Sequence, residues 1–349
     1  MTTPVIAFFN NKGGVGKTSM VYHLAWMFAD RGLPVIAADL DPQANLTAAF
    51  LDEDRMEQVL SNSSHPMTIF GAIQPLKRGV GDIADPHVEI VDKCLGVVLG
   101  DMALSTFEDG LSEVWPKCMD GDERAFRITS AFWRTLQNAA AKHKANVILV
   151  DLGPNLGAIN RAALIASDFV VIPLGPDLFS LQGLLNLGPS LRTWRQGWKE
   201  RVSKVPVDDL PLPSGRIEPI GYIIIRHSVR LDRPVKAYER WIARIPKVYR
   251  EAVLDQEASK APPVDRDPNC IATLKDYRSL MPLAQEARKP MFYLKPADGA
   301  LGAHTYAVNE AYRDFYKVAE IVANRTGIGS KRLTSPGVSS LADVAGFCS

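Results

Sequence analysis

Five short apolar runs, at residues 5–9, 35–40, 147–152, 169–174 and 220–225, punctuate the chain at wide intervals. Each is rich in Val and Ile and apolar at successive positions, the pattern of strands buried on both faces of a parallel sheet. Between and after them, at 18–31, 127–143, 160–166 and 306–324, apolar positions recur at helical spacing. Strands alternating with helices predict an α/β fold, a doubly wound and mostly parallel sheet flanked by helices. Residues 51–125 are turn-rich, with short helices and one strand near 95–99 expected. Residues 203–219 hold four prolines and read as a surface loop. Residues 330–349 are small and polar and are expected to form a disordered tail. With no internal repeat, residues 1–329 are expected to form a single domain with elaborated loops at 51–125, 203–219 and 255–275.

Composition narrows the function classes more than the fold. With 349 residues, 46% of them hydrophobic, the chain has material for a sizeable core. A formal charge of +1 means that any surface for nucleic acid must be local. Cys94, Cys118, Cys270 and Cys348 lack metal-ligand spacing, which argues against a zinc site. The start, MTTPVIAFFN, has no basic region before an apolar stretch, and no run of eighteen apolar residues occurs. Neither a signal peptide nor a transmembrane span is expected, so the protein reads as cytoplasmic with no membrane partner.

The first apolar run passes into Asn10-Asn11-Lys12-Gly13-Gly14-Val15-Gly16-Lys17-Thr18-Ser19, and a helix follows. Strand, glycine-rich turn and helix N-terminus are the apparatus for holding a polyphosphate: glycines let successive amides point inward, and the helix dipole adds positive potential. In this pattern Lys17 reaches the β- and γ-phosphates and the Thr18 hydroxyl ligates Mg²⁺. Asn11 stands at the first glycine position of the general form. Asp39 and Asp41 close the second run and project to one side of its end. Acids there also serve as helix caps or solvated turn residues; the nearby phosphate loop favours chemistry. Asp151 follows four apolar residues, as a Walker B carboxylate does when a buried strand delivers it to Mg²⁺.

KGGVGKT resembles the deviant Walker A motif of the ParA/MinD ATPases, with Lys12 at the place of that family's signature lysine. DLDPQAN resembles the family's DxDPQGN segment, with Ala44 replacing glycine, and residues 151–157 (DLGPNLG) resemble its switch loop, with Gly153 replacing a proline. The likeness continues through 163–185, 284–290 and 297–315 and covers roughly 250 positions. It implies ATP and Mg²⁺ as cofactors, a nucleotide site at residues 12–19, and a homodimer in which Lys12 touches the other subunit's nucleotide. It also implies that Asp41 orients the attacking water, that Asp39 supports the metal shell, and that turnover is slow. The phosphate loop begins almost at once, so the shorter, Soj-like ParA type is the nearest pattern.

From Arg226 to Arg250 eight Lys/Arg face only Asp232 and Glu239. Pro234 is placed to start a helix and Pro246 to end it, with Lys236, Arg240 and Arg244 in one stripe. A charge stripe is usually a solvated face; in ParA proteins this region binds DNA without sequence preference. Arg226 falls where the family approaches the base. The reading is an ATPase for DNA partition or cargo positioning, released from DNA by a ParB-like activator. The alternative is an adaptor ATPase of a mobile element or defence locus, acting on a protein partner without nucleoid binding. The terminal SSLADVAGFCS is too short and lacks the basic residues of a MinD-like membrane helix, and no cysteine lies near the switch loop to hold a shared iron cluster.

Overall fold

The structure, a computed structural model, describes residues 2–225, 235–275, 277 and 280–329. Among them, eight strands form a sheet: β1 (Val5–Phe8), β2 (Val35–Asp39), β3 (Glu89–Asp92), β4 (Leu95–Val98), β5 (Val147–Asp151), β6 (Phe169–Leu174), β7 (Glu218–Ile225) and β8 (Cys270–Leu274). Their order is β3-β4-β2-β5-β1-β6-β7-β8. All pairings are parallel except that of the edge strand β3 with β4.

Alternate residues of each central strand feed two different cores. Val5 and Ala7 of β1 join Ile36, Val150 and Ile172 on one face, covered by helices Ala131–His143, Ala158–Ile165 and Leu178–Val202. Ile6 and Phe8 join Ala37, Leu149 and Val171 on the other, covered by helices Lys17–Asp30 and Ala303–Thr326. Neither face meets water, which is why the runs carry no polar alternation. The chain leaves β1 towards β2 and leaves β5 towards β6, in opposite directions across the sheet. Such a switch opens a crevice at the carboxyl ends of the strands, the usual ligand position in open α/β sheets.

Several elements differ from the sequence expectation. The helix expected over 127–143 is two, Glu123–Thr129 and Ala131–His143. Ser130, at φ −89° and ψ 0°, leaves helical geometry, and the Arg127 carbonyl is taken by the Arg134 guanidinium at 2.8 Å. The 25-residue helix Leu178–Val202 was not anticipated; Gly183, Gly188 and Pro189 interrupt its apolar pattern. The segments read as loops at 51–125 and 255–275 contain β3 and β8, short edge strands with partly exposed residues. The proline-rich loop is present, and the buried Trp198 indole donates to the Pro213 carbonyl at 2.9 Å, pinning it to the long helix. The expected tail at 330–349 lies outside the described residues.

The phosphate-loop helix is tied to distant sequence through His23, which is fully buried and stacked on Phe315 with ring centres 4.7 Å apart. Its Nδ1 lies 2.7 Å from the Ser19 carbonyl oxygen and its Nε2 3.2 Å from the Met291 amide nitrogen. A carbonyl accepts and an amide donates, so Nδ1 carries the proton and Nε2 accepts. Burial pushes the ring's pKa down to about 4, against the opposing pull of the Ser19 bond. The unfolded chain takes up a proton near pH 6.5 that the folded ring refuses, so stability is present above that pH and lost as pH falls towards about 4. Between about pH 7.5 and about pH 5, urea unfolding should lose about 2 kcal/mol through this ring. His23→Gln should remove that much of the pH dependence, measured by the same titrations.

Candidate functional site

The phosphate loop hangs from β1 by Asn10. This fully buried side chain donates to the Pro173 carbonyl at 2.8 Å and accepts from the Lys12 amide at 3.0 Å, joining the loop to β6. Gly16, at φ +76°, caps helix Lys17–Asp30. A Cβ there would be strained by this left-handed backbone, which is why glycine is needed, and the Ile225 side chain, 2.6 Å away at Cδ1, would also have to move. Val15 is buried beneath the turn, whereas Gly13 and Gly14 are exposed at its mouth. Lys17 folds back across the loop, and its Nζ donates to the Lys12 carbonyl at 3.2 Å. Burial lowers its pKa, while Asp151 and Asp41 nearby favour the charged form. Thr18 and Ser19 occupy the first helical turn.

Three carboxylates gather under this cation. Asp39 and Asp151 end β2 and β5 as register partners and are fully buried. Asp151 Oδ2 accepts from the Thr18 hydroxyl at 2.6 Å; its Oδ1 is buried without a hydrogen-bond partner. Asp39 Oδ2 accepts from the Thr47 amide and hydroxyl, both at 2.8 Å, and Oδ1 accepts from the Asp41 amide at 3.2 Å. The pKa of Asp151 is raised, first by burial and then by Asp39; that of Asp39 is raised by burial. Asp41 is nearly buried, with Oδ1 accepting from the Gln43 amide at 3.0 Å.

These residues fit Mg²⁺ on chemical grounds. The orphaned Asp151 oxygen beside the Thr18 hydroxyl is an oxygen pair in need of a cation or a water. Among the described residues no three His, Cys, Asp or Glu side chains are arranged to hold a metal alone. An ion held by the Thr18 and Asp151 oxygens would take its remaining ligands from water and a polyphosphate.

Lys12 stands at the rim of the loop, paired with Asp177, which also caps helix Leu178–Val202 by accepting from the Ser180 amide at 2.9 Å. The loop at residues 152–157 crosses beside it. A Cβ at Gly153 would lie 3.1 Å from Asp41 Oδ1, and one at Gly13 would lie 3.8 Å from Pro154. Asn160 Nδ2 holds this loop by donating to the Gly153 carbonyl at 2.8 Å and the Asn155 carbonyl at 2.7 Å.

The basic segment departs from the expected single helix. Helix Val235–Ile242 stops before Arg244, and Pro246 lies in the first turn of a second helix, Ile245–Val248, instead of ending the first. Lys236 and Arg240 share the first helix, while Arg244 occupies the bend. The Arg240 and Arg244 guanidiniums both lie over the Trp241 ring, at 4.5 and 5.3 Å from its centre, and both residues are exposed. Arg226 and the Lys236 side chain lie outside the described residues.

A family model described as an AAA domain matches residues 3–204. The chain belongs to the ParA/MinD family of P-loop ATPases. It is 30% identical to protein IncC of Escherichia coli over 199 residues, which are 56% of this chain and 47% of that protein. It is 29% identical to the sporulation initiation inhibitor protein Soj of Bacillus subtilis over 191 residues, 54% of this chain and 64% of Soj. The chain thus spans less than two thirds of the length of either relative. Its fold matches protein DIP2308 of Corynebacterium diphtheriae with a TM-score of 0.65, at 22% identity, covering 93% of this chain and 99% of that one. It matches an ATP complex of a Cyanothece McdA variant with a TM-score of 0.56, at 14% identity, covering 92% and 97%. At these identities the likeness is one of fold.

For a member of the ParA/MinD family, the sequence had marked the residues now found together: Lys17, Thr18, Asp39, Asp41 and Asp151. It missed Asp177, Thr47 and Gly100, whose amide donates to the Thr47 hydroxyl at 2.7 Å. Asp177 alone had a local signal, an acid three residues before Ser180 at a helix start. The buried acids also make a stability prediction. The raised folded pKa of Asp151 means that the folded state keeps a proton the unfolded chain has released, so stability falls as pH rises above the ordinary carboxylate range. Asp151→Asn should therefore raise the melting temperature of ligand-free protein by roughly a few degrees near pH 8, and by less near pH 5. Scanning calorimetry at both values checks the magnitude and the sign.

Proposed function

We propose that this chain is a Mg²⁺-dependent ATPase for DNA partition or cargo positioning that dimerises on binding ATP. The observation that carries the reading is the convergence of Lys17, Thr18 and Asp151 beneath the phosphate loop, with Lys12 at its rim. Lys17 and the amides of residues 13–19 take the phosphates. Thr18 and Asp151 hold Mg²⁺, which when bound neutralises charge on the β- and γ-oxygens. Asp39, with its oxygens already engaged by Thr47 and Asp41, steadies this shell instead of ligating directly. Asp41 orients the attacking water. Lys12 exchanges Asp177 for the nucleotide of a second subunit, which couples ATP occupancy to association. Hydrolysis is slow until a ParB-like partner accelerates it.

Light scattering with ATP, with ADP and without nucleotide tests the switch. Lys12→Ala should retain nucleotide binding yet lose the ATP-dependent dimer, and Lys17→Ala should lose binding itself. A Lys12→Ala dimer of wild-type strength would remove Lys12 from the interface.

The dimer is expected to bind DNA without regard to sequence through Arg240 and Arg244, with Lys236 on the helix that carries Arg240. Trp241 packs against two exposed guanidiniums, and exposed arginines are suited to phosphates. One subunit makes few contacts, so its affinity should fall at about 10⁻⁴ to 10⁻⁶ M, and pairing two subunits should raise it roughly a hundredfold. Fluorescence anisotropy at two salt concentrations should show binding that needs ATP and weakens steeply with salt. Arg240→Glu with Arg244→Glu should abolish it and leave ATP-dependent dimerisation intact. A wild-type dimer without DNA affinity at low salt would favour the protein-partner adaptor instead.

A further inference from the structure

The turn-rich stretch 51–125 supplies a helix that grips the segment after β5. Helix Ala158–Ile165 follows the switch loop and starts at Gly157, which offers no capping side chain. The cap comes from fifty residues upstream. Glu108, at the start of helix Glu108–Lys117, accepts from the Ala158 amide through Oε1 at 2.5 Å and from the Ile159 amide through Oε2 at 2.9 Å. A helix leaves its first amides unpaired and carries partial positive charge there, so one ionised carboxylate answers both needs. The approach is close: a Cβ at Gly157 would lie 2.6 Å from Glu108 Oε1.

The grip is repeated one turn on. Arg161 donates to the Leu111 carbonyl at 3.3 Å, and its guanidinium lies 4.6 Å from the centre of the Trp115 ring. The loop 152–157 is therefore strung between two fixed ends. Asp151 on β5 holds one end, and the Glu108-capped helix start holds the other. Between them Gly153 lies against Asp41 and Pro154 against Gly13.

We propose that Glu108 is a positioning residue for ATP hydrolysis. It anchors the far end of the switch loop, so that residues 153 and 154 stay against Asp41 and the phosphate loop. The inference rests on the ATPase reading above. Glu108 makes no hydrogen bond to the phosphate loop or the buried acids, so its loss should spare nucleotide affinity while disturbing turnover.

Two measurements on the full chain decide it, using Glu108→Ala and, in case that variant fails to fold, Glu108→Gln, which keeps one acceptor but loses the charge. In ligand-free protein, amide hydrogen exchange at residues 157–161 should quicken about tenfold in Glu108→Ala, with β1 and β5 at wild-type rates. In steady-state assays kcat should fall about tenfold with KM for ATP within about twofold, and Glu108→Gln should lie between. Wild-type exchange at 157–161 overturns the anchor. Wild-type kcat, or a rise in KM that accounts for the whole loss, overturns its part in hydrolysis. If the wild-type chain hydrolyses no ATP, the ATPase reading fails, and the exchange experiment still tests the anchor by itself.

Discussion

Two carboxylates sit side by side at the ends of adjacent strands, out of reach of water. Asp39 and Asp151 are paired in register, and Asp41 stands two residues further on. Charges of one sign at such a spot repel and are poorly solvated, and each of them raises the energy of the empty site. The surrounding architecture offsets that energy in pieces. Lys17 supplies a nearby cation, Thr18 bonds Asp151, and Thr47 with the Asp41 amide occupies Asp39. One Asp151 oxygen is left over. A site built this way favours whatever brings positive charge and fresh ligands, and the same absence of water strengthens every such contact.

The sheet's periphery serves this arrangement. The chain between β2 and β5 delivers two of its supports: Gly100 fixes the Thr47 hydroxyl that steadies Asp39, and Glu108 caps the helix after the loop 152–157. Asp101, next to Gly100, accepts from the Thr68 hydroxyl at 2.8 Å and contacts His65 Nδ1 at 2.6 Å, so an outlying turn is joined to the same corner. This turn-rich segment is thus joined to the corner that holds the buried acids.

How much of this was legible depended on the range of each interaction. The five central strands were readable because both their faces are apolar, and the phosphate loop because its glycines, lysines and threonine are contiguous. The edge strands β3 and β8 were not, since short, half-exposed strands carry neither a continuous apolar run nor a sustained alternation. Helix Leu178–Val202 hid because glycines accommodate close neighbours: a Cβ at Gly183 would lie 2.8 Å from Asn10 Oδ1, and one at Gly188 would strike the Ala252 carbonyl. Asp39, Asp41 and Asp151 were found through motif spacing. Glu108 and Thr47 act on groups far off in sequence or through backbone atoms, and no local pattern records such a contact. The break before Arg244 was equally invisible, because Pro246 fits the start of a helix as well as the end of one.

The clasp around His23 bears on how this chain can be dissected. The family match stops at residue 204, yet the phosphate-loop helix is completed from the far end of the sequence. Met291 satisfies His23, Phe315 covers its ring, and Asp30 at the helix end accepts from the Tyr293 and Tyr312 hydroxyls at 2.6 and 2.8 Å. A fragment cut at the motif boundary would keep every residue of the phosphate loop while stripping one wall from the helix that carries it. Met20, Leu24 and Phe28 would lose the partners they have in that core, and the imidazole would lose the amide that fixes its tautomer. Residues 3–204 are therefore not a cassette: the geometry of the phosphate loop is held in part by residues beyond the family match.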